Sequence, residues 1–441
     1  MKVRFVGYEL RISTVIGVKL VPLPLVIRMV AHVWRLALFV VGLGMPQSHG
    51  QVNVCFNDKY EPPSSSFFPV VEQFGLSLFR QVASRKPDTS VFLSPYSVWS
   101  VLSLAYFGSE GETRRQLEKV LNFSSKTSTY YNWKSLKFMI ETNPGNEASS
   151  GVRLKSSNTA YLSDQLEVEP CIKSILSKDL RSIDFTNSNR ARSIINNDVK
   201  KTTEGRIPEL IQFLPPQTRF ALVNAIFLKG QWEFAFNPKE THRQEFLVPP
   251  GRFDGVVEMM MQEATFKHVS SPTLNASMLE LPYLNSNISM YLLLPNTWST
   301  DTILRQLTDQ NLNAAISTMV PKPVKVGLPK FKMTTRIEEE LMNILIAMGI
   351  EALFAPGIAD LTAFTKSASL NVDAAIHQAT VEINEEGTVA AAATSLINTR
   401  FGGPPVEFIC NRPFVFLIRD KFTGITLFAG NVLNTSEMEK V

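Results

Sequence analysis

The sequence has few cysteines and histidines, with 3 and 5 of them among 441 residues. Cys55, Cys171 and Cys410 are too few and too far apart for a disulfide framework or for a tetrahedral zinc site, which needs closer or more numerous ligands. We therefore expect packing to stabilise the fold. The odd count leaves at least one free thiol, and Cys410 lies in an apolar stretch where we expect it to be buried as a small hydrophobic residue.

Motifs for catalysis are also lacking. The sequence has no Gly-x-Ser-x-Gly nucleophile elbow and no phosphate-binding glycine loop, and its histidines do not have metal-ligand spacing. These absences predict a protein that is not an enzyme and that needs neither a metal nor a cofactor. The histidines are His32, His49, His242, His268 and His377.

The sequence has little excess of either charge, because 44 basic and 40 acidic residues leave a formal net charge of +4. Several of the basic residues lie in the first 35 positions, so a mature chain that starts after them is nearly neutral. This balance gives no reason to expect nucleic-acid binding.

The apolar run at residues 36–43 is too short to span a bilayer. It follows His32 and Arg35 and precedes small and polar residues up to Gly50, which is the pattern of a secretory signal peptide. We interpret residues 1–50 as a targeting segment that starts at Met1 or Met29 and is cleaved near Gly50. The prediction is a secreted, extracellular protein. Its possible N-glycosylation sites are the sequons at Asn122, Asn275, Asn287 and Asn434.

Helical patterns dominate the first third of the folded chain. Apolar residues repeat at helical spacing over residues 71–82, and Ser94-Pro95 begins a second helix that runs to residue 107. Thr113 and Gln116 have the spacing of a capping box for a third helix.

Strand patterns dominate the remainder. Residues 222–228, 288–294 and 324–328 are short apolar, β-branched runs, and residues 414–418 and 425–429 form a predicted buried hairpin. Helical patches lie between these runs, and the sequence has no repeats and no long linker. We predict one large α+β domain.

Residues 385–407 do not fit this description, because more than twenty residues with small side chains and turn formers interrupt a compact domain. A structureless loop of this length is normally functional or disordered. If the chain from residue 388 onwards entered a β-sheet, alternate side chains would share one face of the sheet. The first four side chains on that face are small enough to pass over the residues packed beneath the sheet. The residues on that face are Thr388, Ala390, Ala392, Thr394 and Leu396.

A basic residue lies in the second half of this loop. Arg400 is followed by Phe401 and Gly402, and a trypsin-like protease accepts such a site because its specificity pocket carries a carboxylate. Taken alone, an arginine in a loop is usually just a solvated side chain.

Several motifs carry a family resemblance. Residues 222–232 (LVNAIFLKGQW) resemble the central strand of the serpins, and residues 408–418 (FICNRPFVFLI) are similar to their C-terminal signature. Matching segments also occur at residues 92–95, 111–114, 195–208, 328–331 and 354–360, in the family's order. The resemblance implies a serpin domain over residues 66–437, with one large central sheet, further sheets, surrounding helices and an exposed reactive-centre loop at 385–407.

The resemblance also implies a mechanism. The hinge of the loop is similar to that of serpins that inhibit: the protease serine forms an acyl-enzyme at the bait residue, and the cleaved loop then inserts into the central sheet and deforms the enzyme. Val389 stands where the hinge commonly has glutamate, on the face that stays in solvent, and Ser90 stands where asparagine is usual. The hinge residues are Glu385, Glu386, Gly387, Thr388, Val389, Ala390, Ala391, Ala392, Ala393 and Thr394.

Two positions compete for the reactive bond. Counting along the loop as in some inhibitors of trypsin-like enzymes places the cleavage between Arg400 and Phe401, as in the arthropod haemolymph serpins that restrain melanisation proteases. The count of many other inhibitory serpins places it between Phe401 and Gly402, which implies a chymotrypsin-like target. A non-inhibitory serpin, acting as a carrier or chaperone, is the remaining alternative, although its hinge would tend to carry bulky, charged or proline residues.

Other positions acquire a role through the family. Asn224 and Trp232 lie in the predicted central strand, and His377, beside the strand that leads into the loop, is a candidate for modulating the opening of the sheet. Lys126, Lys134 and Lys137 fall where some serpins bind heparin-like polyanions, but three lysines make a weak case and a solvated face explains them better. The resemblance implies a monomer whose partner is a trypsin-like serine protease.

Overall fold

The computed structural model describes residues 55–58, 67–141, 151–366, 369–385 and 404–439, and the backbone of residues 4–5 and 8–9. The chain divides into two compact units, Met1–Asn53 and Val54–Val441. In the first unit, Arg4–Phe5 pairs antiparallel with Tyr8–Glu9. Among the described helices, none is long and apolar enough to cross a membrane.

The helices of the second unit are concentrated before residue 203, as the sequence predicts. Short 3-10 turns occur at Pro238–Glu240 and Ala352–Phe354. The α-helices are α1 (Phe67–Arg85), α2 (Pro95–Gly108), α3 (Gly111–Leu121), α4 (Lys126–Glu141), α5 (Pro170–Ile175), α6 (Ser188–Thr202), α7 (Asp301–Gln306), α8 (Asp309–Ser317) and α9 (Glu339–Ala347).

The strands of this unit form two sheets. They are β1 (Val91–Leu93), β2 (Val152–Ser163), β3 (Leu180–Ile183), β4 (Phe220–Gly230), β5 (His242–Val248), β6 (Arg252–Ser271), β7 (Ala276–Pro282), β8 (Ile288–Pro295), β9 (Val320–Pro329), β10 (Phe331–Ile337), β11 (Ala374–Ile383), β12 (Val406–Ile409), β13 (Phe414–Asp420) and β14 (Thr426–Val432).

The larger sheet has the order β12-β9-β6-β7-β8-β13-β14-β1, with β5 paired to β6. The smaller sheet has five strands in the order β10-β11-β4-β2-β3. The predicted hairpin is confirmed, because β13 and β14 pair antiparallel and are buried. Together these sheets and helices form the predicted α+β fold.

Helix α2 lies in the centre of the domain. Every one of its residues is buried, and it packs against β2 and β4 of the smaller sheet and β14 of the larger one. Ser94 begins it as predicted, since its hydroxyl accepts a hydrogen bond from the Ser97 amide at 3.2 Å and Pro95 occupies the first turn. The polar residues at the N-terminus of this helix therefore lie against the five-stranded sheet.

Two expectations from the sequence are wrong. Cys55 and Cys171 form a disulfide bond, although 116 positions separate them, because the fold brings the segment 55–58 against α5. The capping box at Thr113 and Gln116 does not form: the Thr113 hydroxyl accepts the Asp360 amide at 2.9 Å, and the Gln116 carbonyl oxygen accepts amides from the 3-10 turn at residues 351–352. The third cysteine, Cys410, is free and buried as predicted.

Candidate functional site

The centre of the five-stranded sheet contains a boundary between two parallel strands. Strands β4 and β11 pair directly, from Ala221 opposite Ala374 to Leu228 opposite Val381. We call this boundary the seam. Their outer neighbours β2 and β10 are antiparallel to them. An additional strand running opposite to both β4 and β11 would form two antiparallel ladders if it entered the seam.

A buried polar network ties the seam to α2. His377 of β11 and Asn224 of β4 are neighbours in register, and the imidazole Nδ1 is hydrogen bonded to the Asn224 side-chain oxygen. The Asn224 amide in turn donates to Ser97 of α2 and to Asn158 of β2. Ser94 completes the network, since its backbone amide donates to the His377 Nε2 at 3.1 Å.

These contacts define the protonation of His377. Its Nε2 accepts from a backbone amide, so the ring proton lies on Nδ1 and the ring is neutral. Complete burial, which removes the hydration of an imidazolium, lowers the pKa of His377 from 6.5 to about 3. The network is thus polar but uncharged, which suits its position in the core.

Trp232 lies beyond one end of the seam, just after β4. Its indole nitrogen donates to the Asn384 carbonyl oxygen at 2.9 Å, and its ring stacks on Tyr283 with centroids 4.7 Å apart. Asn384 directly follows β11. The tryptophan therefore fixes the position at which the chain leaves the sheet.

Glu385, the first residue of the predicted hinge, is held at the same end of the seam. Its carboxylate lies 3.1 Å from the Lys330 ammonium group and accepts a hydrogen bond from the Thr241 hydroxyl at 2.9 Å. Burial by itself would raise the pKa of Glu385, but hydrogen bonds from its own backbone amide, Lys330 and Thr241 outweigh it and lower the pKa. This carboxylate is ionised and anchored.

The rest of the hinge and the reactive bond lie outside the described residues. This applies to residues 386–394 and to Arg400 and Phe401. On the far side of the loop, β12 pairs in parallel with β9 at the edge of the larger sheet. The loop thus joins the end of the seam to a strand of the other sheet.

The lysines considered for polyanion binding are not equivalent. Lys126 is buried, and its ammonium group lies 2.7 Å from Glu110; burial also lowers its pKa. Lys137 forms an ion pair with Asp179, and Lys134 lies over the ring of Tyr130. Because two of the three charges have carboxylate partners, the interpretation as a polyanion site is weakened.

The four sequons differ in accessibility. Asn122 is exposed at the C-terminus of α3, in the left-handed conformation. Asn275, Asn287 and Asn434 are half-buried, and the amide of Asn434 donates to the Asp88 carbonyl oxygen at 3.1 Å. Asn122 is therefore the sequon that offers the most accessible side chain.

Sequence reasoning identified Asn224, Trp232 and His377 but missed the residues that complete their contacts. The sequence signal that could have indicated these residues is the presence of polar side chains inside otherwise apolar elements. An example is α2, which contains several serines and is wholly buried. The partners of Glu385 were not detectable from local pattern, because they come from distant segments. The missed residues are Ser94, Ser97, Asn158, Thr241 and Lys330.

Comparison with known proteins agrees with this architecture. The family model "Serpin (serine protease inhibitor)" matches residues 69–435. Serine protease inhibitor 88Ea of Drosophila melanogaster is 32% identical over 389 residues, covering 81% of this chain and 88% of that protein. The chain belongs to the serpin family. As a class, serpins inhibit proteases rather than act as catalytic enzymes.

Solved structures show the same fold. Native protease nexin-1 with heparin aligns with a TM-score of 0.74 and 28% identity, over 83% of this chain and 99% of that one. Human thyroxine-binding globulin complexed with its hormone aligns with a TM-score of 0.76 and 25% identity, over 85% and 99%. The similarity therefore extends across fly and human proteins and is not restricted to an arthropod branch.

Proposed function

We propose that this serpin is a secreted suicide-substrate inhibitor of a trypsin-like serine protease. The observation that carries the proposal is the seam: two parallel central strands pair directly, and the second of them leads into a loop of small residues. A strand built from Thr388 and the following alanines fits between them, and its pairing with both neighbours provides the free energy for trapping.

The chemistry of the proposal takes place at Arg400. The protease serine oxygen adds to the Arg400 carbonyl carbon, the peptide bond to Phe401 breaks, and the new amine of Phe401 takes up the proton. The acyl ester then joins the protease to the loop. Insertion of the loop carries the enzyme away before water can hydrolyse that ester.

The extracellular location has two supports. Residues 1–50 have the pattern of a targeting segment, and the Cys55–Cys171 disulfide is of a type that persists in oxidising compartments. The natural target belongs to an extracellular protease cascade, such as the melanisation cascade of innate immunity. The resemblance of the loop to arthropod haemolymph serpins supports this choice.

Incubation with trypsin tests the proposal. We expect an SDS-stable complex and a released C-terminal peptide that starts at Phe401. A peptide that starts at Gly402 would move the reactive bond to Phe401 and the target to a chymotrypsin-like enzyme.

Cleavage without a stable complex would reject inhibition in favour of a non-inhibitory carrier or chaperone. A trypsin variant without its catalytic serine serves as the control, because it binds the loop but cannot form the ester.

A further inference from the structure

The turn after α6 forms ion pairs with the five-stranded sheet on both sides of β4. The turn is tight, because Glu204 and Gly205 are both left-handed, with φ angles of 52° and 80°. Ile207, which follows, is fully buried, and its amide donates to the Thr203 hydroxyl at 3.2 Å. Arg206 is thus fixed between a tight turn and a buried anchor.

Arg206 contacts both strands of the seam. Its Nη1 lies 3.5 Å from the Glu382 carboxylate of β11, and its guanidinium carbon lies 5.4 Å from the ring centroid of Phe227 on β4. Phe227 is opposite Thr380 in the register, two residues before Glu382. We call Arg206, Phe227 and Glu382 the Arg206 latch.

Glu204, two residues earlier in the same turn, contacts the other side of β4. Its carboxylate lies 2.9 Å from Arg153 and 3.6 Å from Lys155, both on β2. Strands β2 and β4 are paired from Val152 opposite Gly230 to Leu162 opposite Phe220, and this pairing lies outside the seam. The Glu204 contacts therefore do not cross the seam, whereas the Arg206–Glu382 contact does.

We propose that Arg206 is a positioning residue that holds the seam closed and sets the rate at which a strand inserts into it. This inference rests on the proposed function. Insertion moves β4 and β11 from one strand spacing apart, about 4.8 Å, to two, so Arg206 cannot keep both contacts. Thr388 lies three residues after Glu385, so insertion begins at the end of the seam where the latch lies.

The latch is a modest restraint. Its ion pair is partly exposed, with relative side-chain exposures of 47% and 13%, and the aromatic contact adds a second small contribution. If both are lost in the transition state for insertion, their removal accelerates insertion about three- to tenfold.

The experiment uses the intact protein and a synthetic peptide with the sequence of residues 388–399. Uptake of the peptide into the seam is followed by native gel and by the rise in thermal unfolding temperature. We expect Arg206→Ala to take up the peptide about three- to tenfold faster than the wild type. Arg153→Ala is the matched control, because it removes an ion pair to the same turn on the side that does not open.

Exchanging the charges of Arg206 and Glu382 distinguishes an effect of the Arg206 latch from a general loss of stability. The double variant Arg206→Glu with Glu382→Arg restores the ion pair and is expected to return uptake toward the wild-type rate. The denaturant midpoints of Arg206→Ala and Arg153→Ala should agree, so that only the insertion rate distinguishes them.

The outcomes test the two proposals separately. If the wild type neither takes up the peptide nor gains stability, the proposed function fails. If the wild type takes up the peptide but Arg206→Ala and Arg153→Ala do so at the same rate, the latch is refuted and the proposed function stands.

Discussion

The imidazole of His377 accepts a hydrogen bond from the backbone amide of Ser94 at 3.1 Å, across 283 positions of sequence. Ser94 also begins α2, and its hydroxyl donates to the Leu427 carbonyl oxygen at 2.6 Å. A strand of the smaller sheet, the central helix and a strand of the larger sheet thus meet at one serine. The hydrogen bond between His377 and Asn224 joins this junction to β4 across the seam.

The neutral state of His377 predicts acid sensitivity. Its pKa is about 3 in the folded protein and about 6.5 when unfolded, so the unfolded chain binds the extra proton between these values. The contribution to stability is complete above pH 6.5 and falls by at most about 1.4 kcal/mol per pH unit as the pH drops toward 3. Urea midpoints for the wild type and His377→Gln should converge as the pH is lowered.

His242→Gln is the control for this measurement, because His242 is exposed. It should keep the acid dependence of the wild type. Equal slopes for the wild type and His377→Gln would show that another group titrates.

The anchor of the hinge predicts a loss of stability on removal of its cation. Lys330→Ala leaves the Glu385 carboxylate, which is 8% exposed, without its ionic partner, and we expect a loss of about 1–2 kcal/mol. The folded-state pKa of Glu385 is lowered, so its contribution is present above pH 4.5 and is lost as the pH falls. The difference between variant and wild type should therefore shrink below pH 4.5.

Lys325→Ala is the matched control for the hinge anchor. Lys325 lies 3.9 Å from Glu407 in an exposed pair, and its removal should change stability by less than about 0.5 kcal/mol. Equal losses in the two lysine variants would contradict a special role for Lys330.

The proposed insertion of residues 388 onwards into the seam predicts opposite effects at adjacent positions of the predicted hinge. Thr388→Arg places a charge where insertion would bury it, so the variant should be cleaved by trypsin without forming a stable complex. Val389→Arg places the same charge on the face that stays in solvent and should retain trapping. The ratio of complex to cleaved inhibitor on SDS gels measures both, and trapping by Thr388→Arg would exclude insertion in this register.

The disulfide predicts a defined pattern of thiol reactivity. In the native protein, Cys410 should not react with thiol reagents, because this residue is fully buried. The unfolded protein should expose one reactive thiol in the absence of reductant and three in its presence. Cys171→Ser should cost about 2–5 kcal/mol, since a native cross-link restricts the unfolded chain. Three reactive thiols in the unreduced, unfolded protein would contradict the Cys55–Cys171 bond.

Local sequence patterns predicted the start of a helix correctly where the capping hydrogen bond joins residues of the same segment. Ser94 was identified as a helix start because its cap partner is three residues away. The same reasoning failed at Thr113, whose hydroxyl accepts an amide from residue 360 instead of capping its own helix. The difference lies in competition from distant backbone groups, which no local pattern contains.

The sequence by itself determined the class of fold, the helix-rich start and the buried terminal hairpin, because periodicity and residue size are local properties. Tertiary structure decided that β4 and β11 are neighbours, that Cys55 meets Cys171, and that Lys330 holds Glu385. It also placed Arg206 across the seam. Each of these pairs joins segments far apart in the chain, and only folding brings their side chains within range of one another.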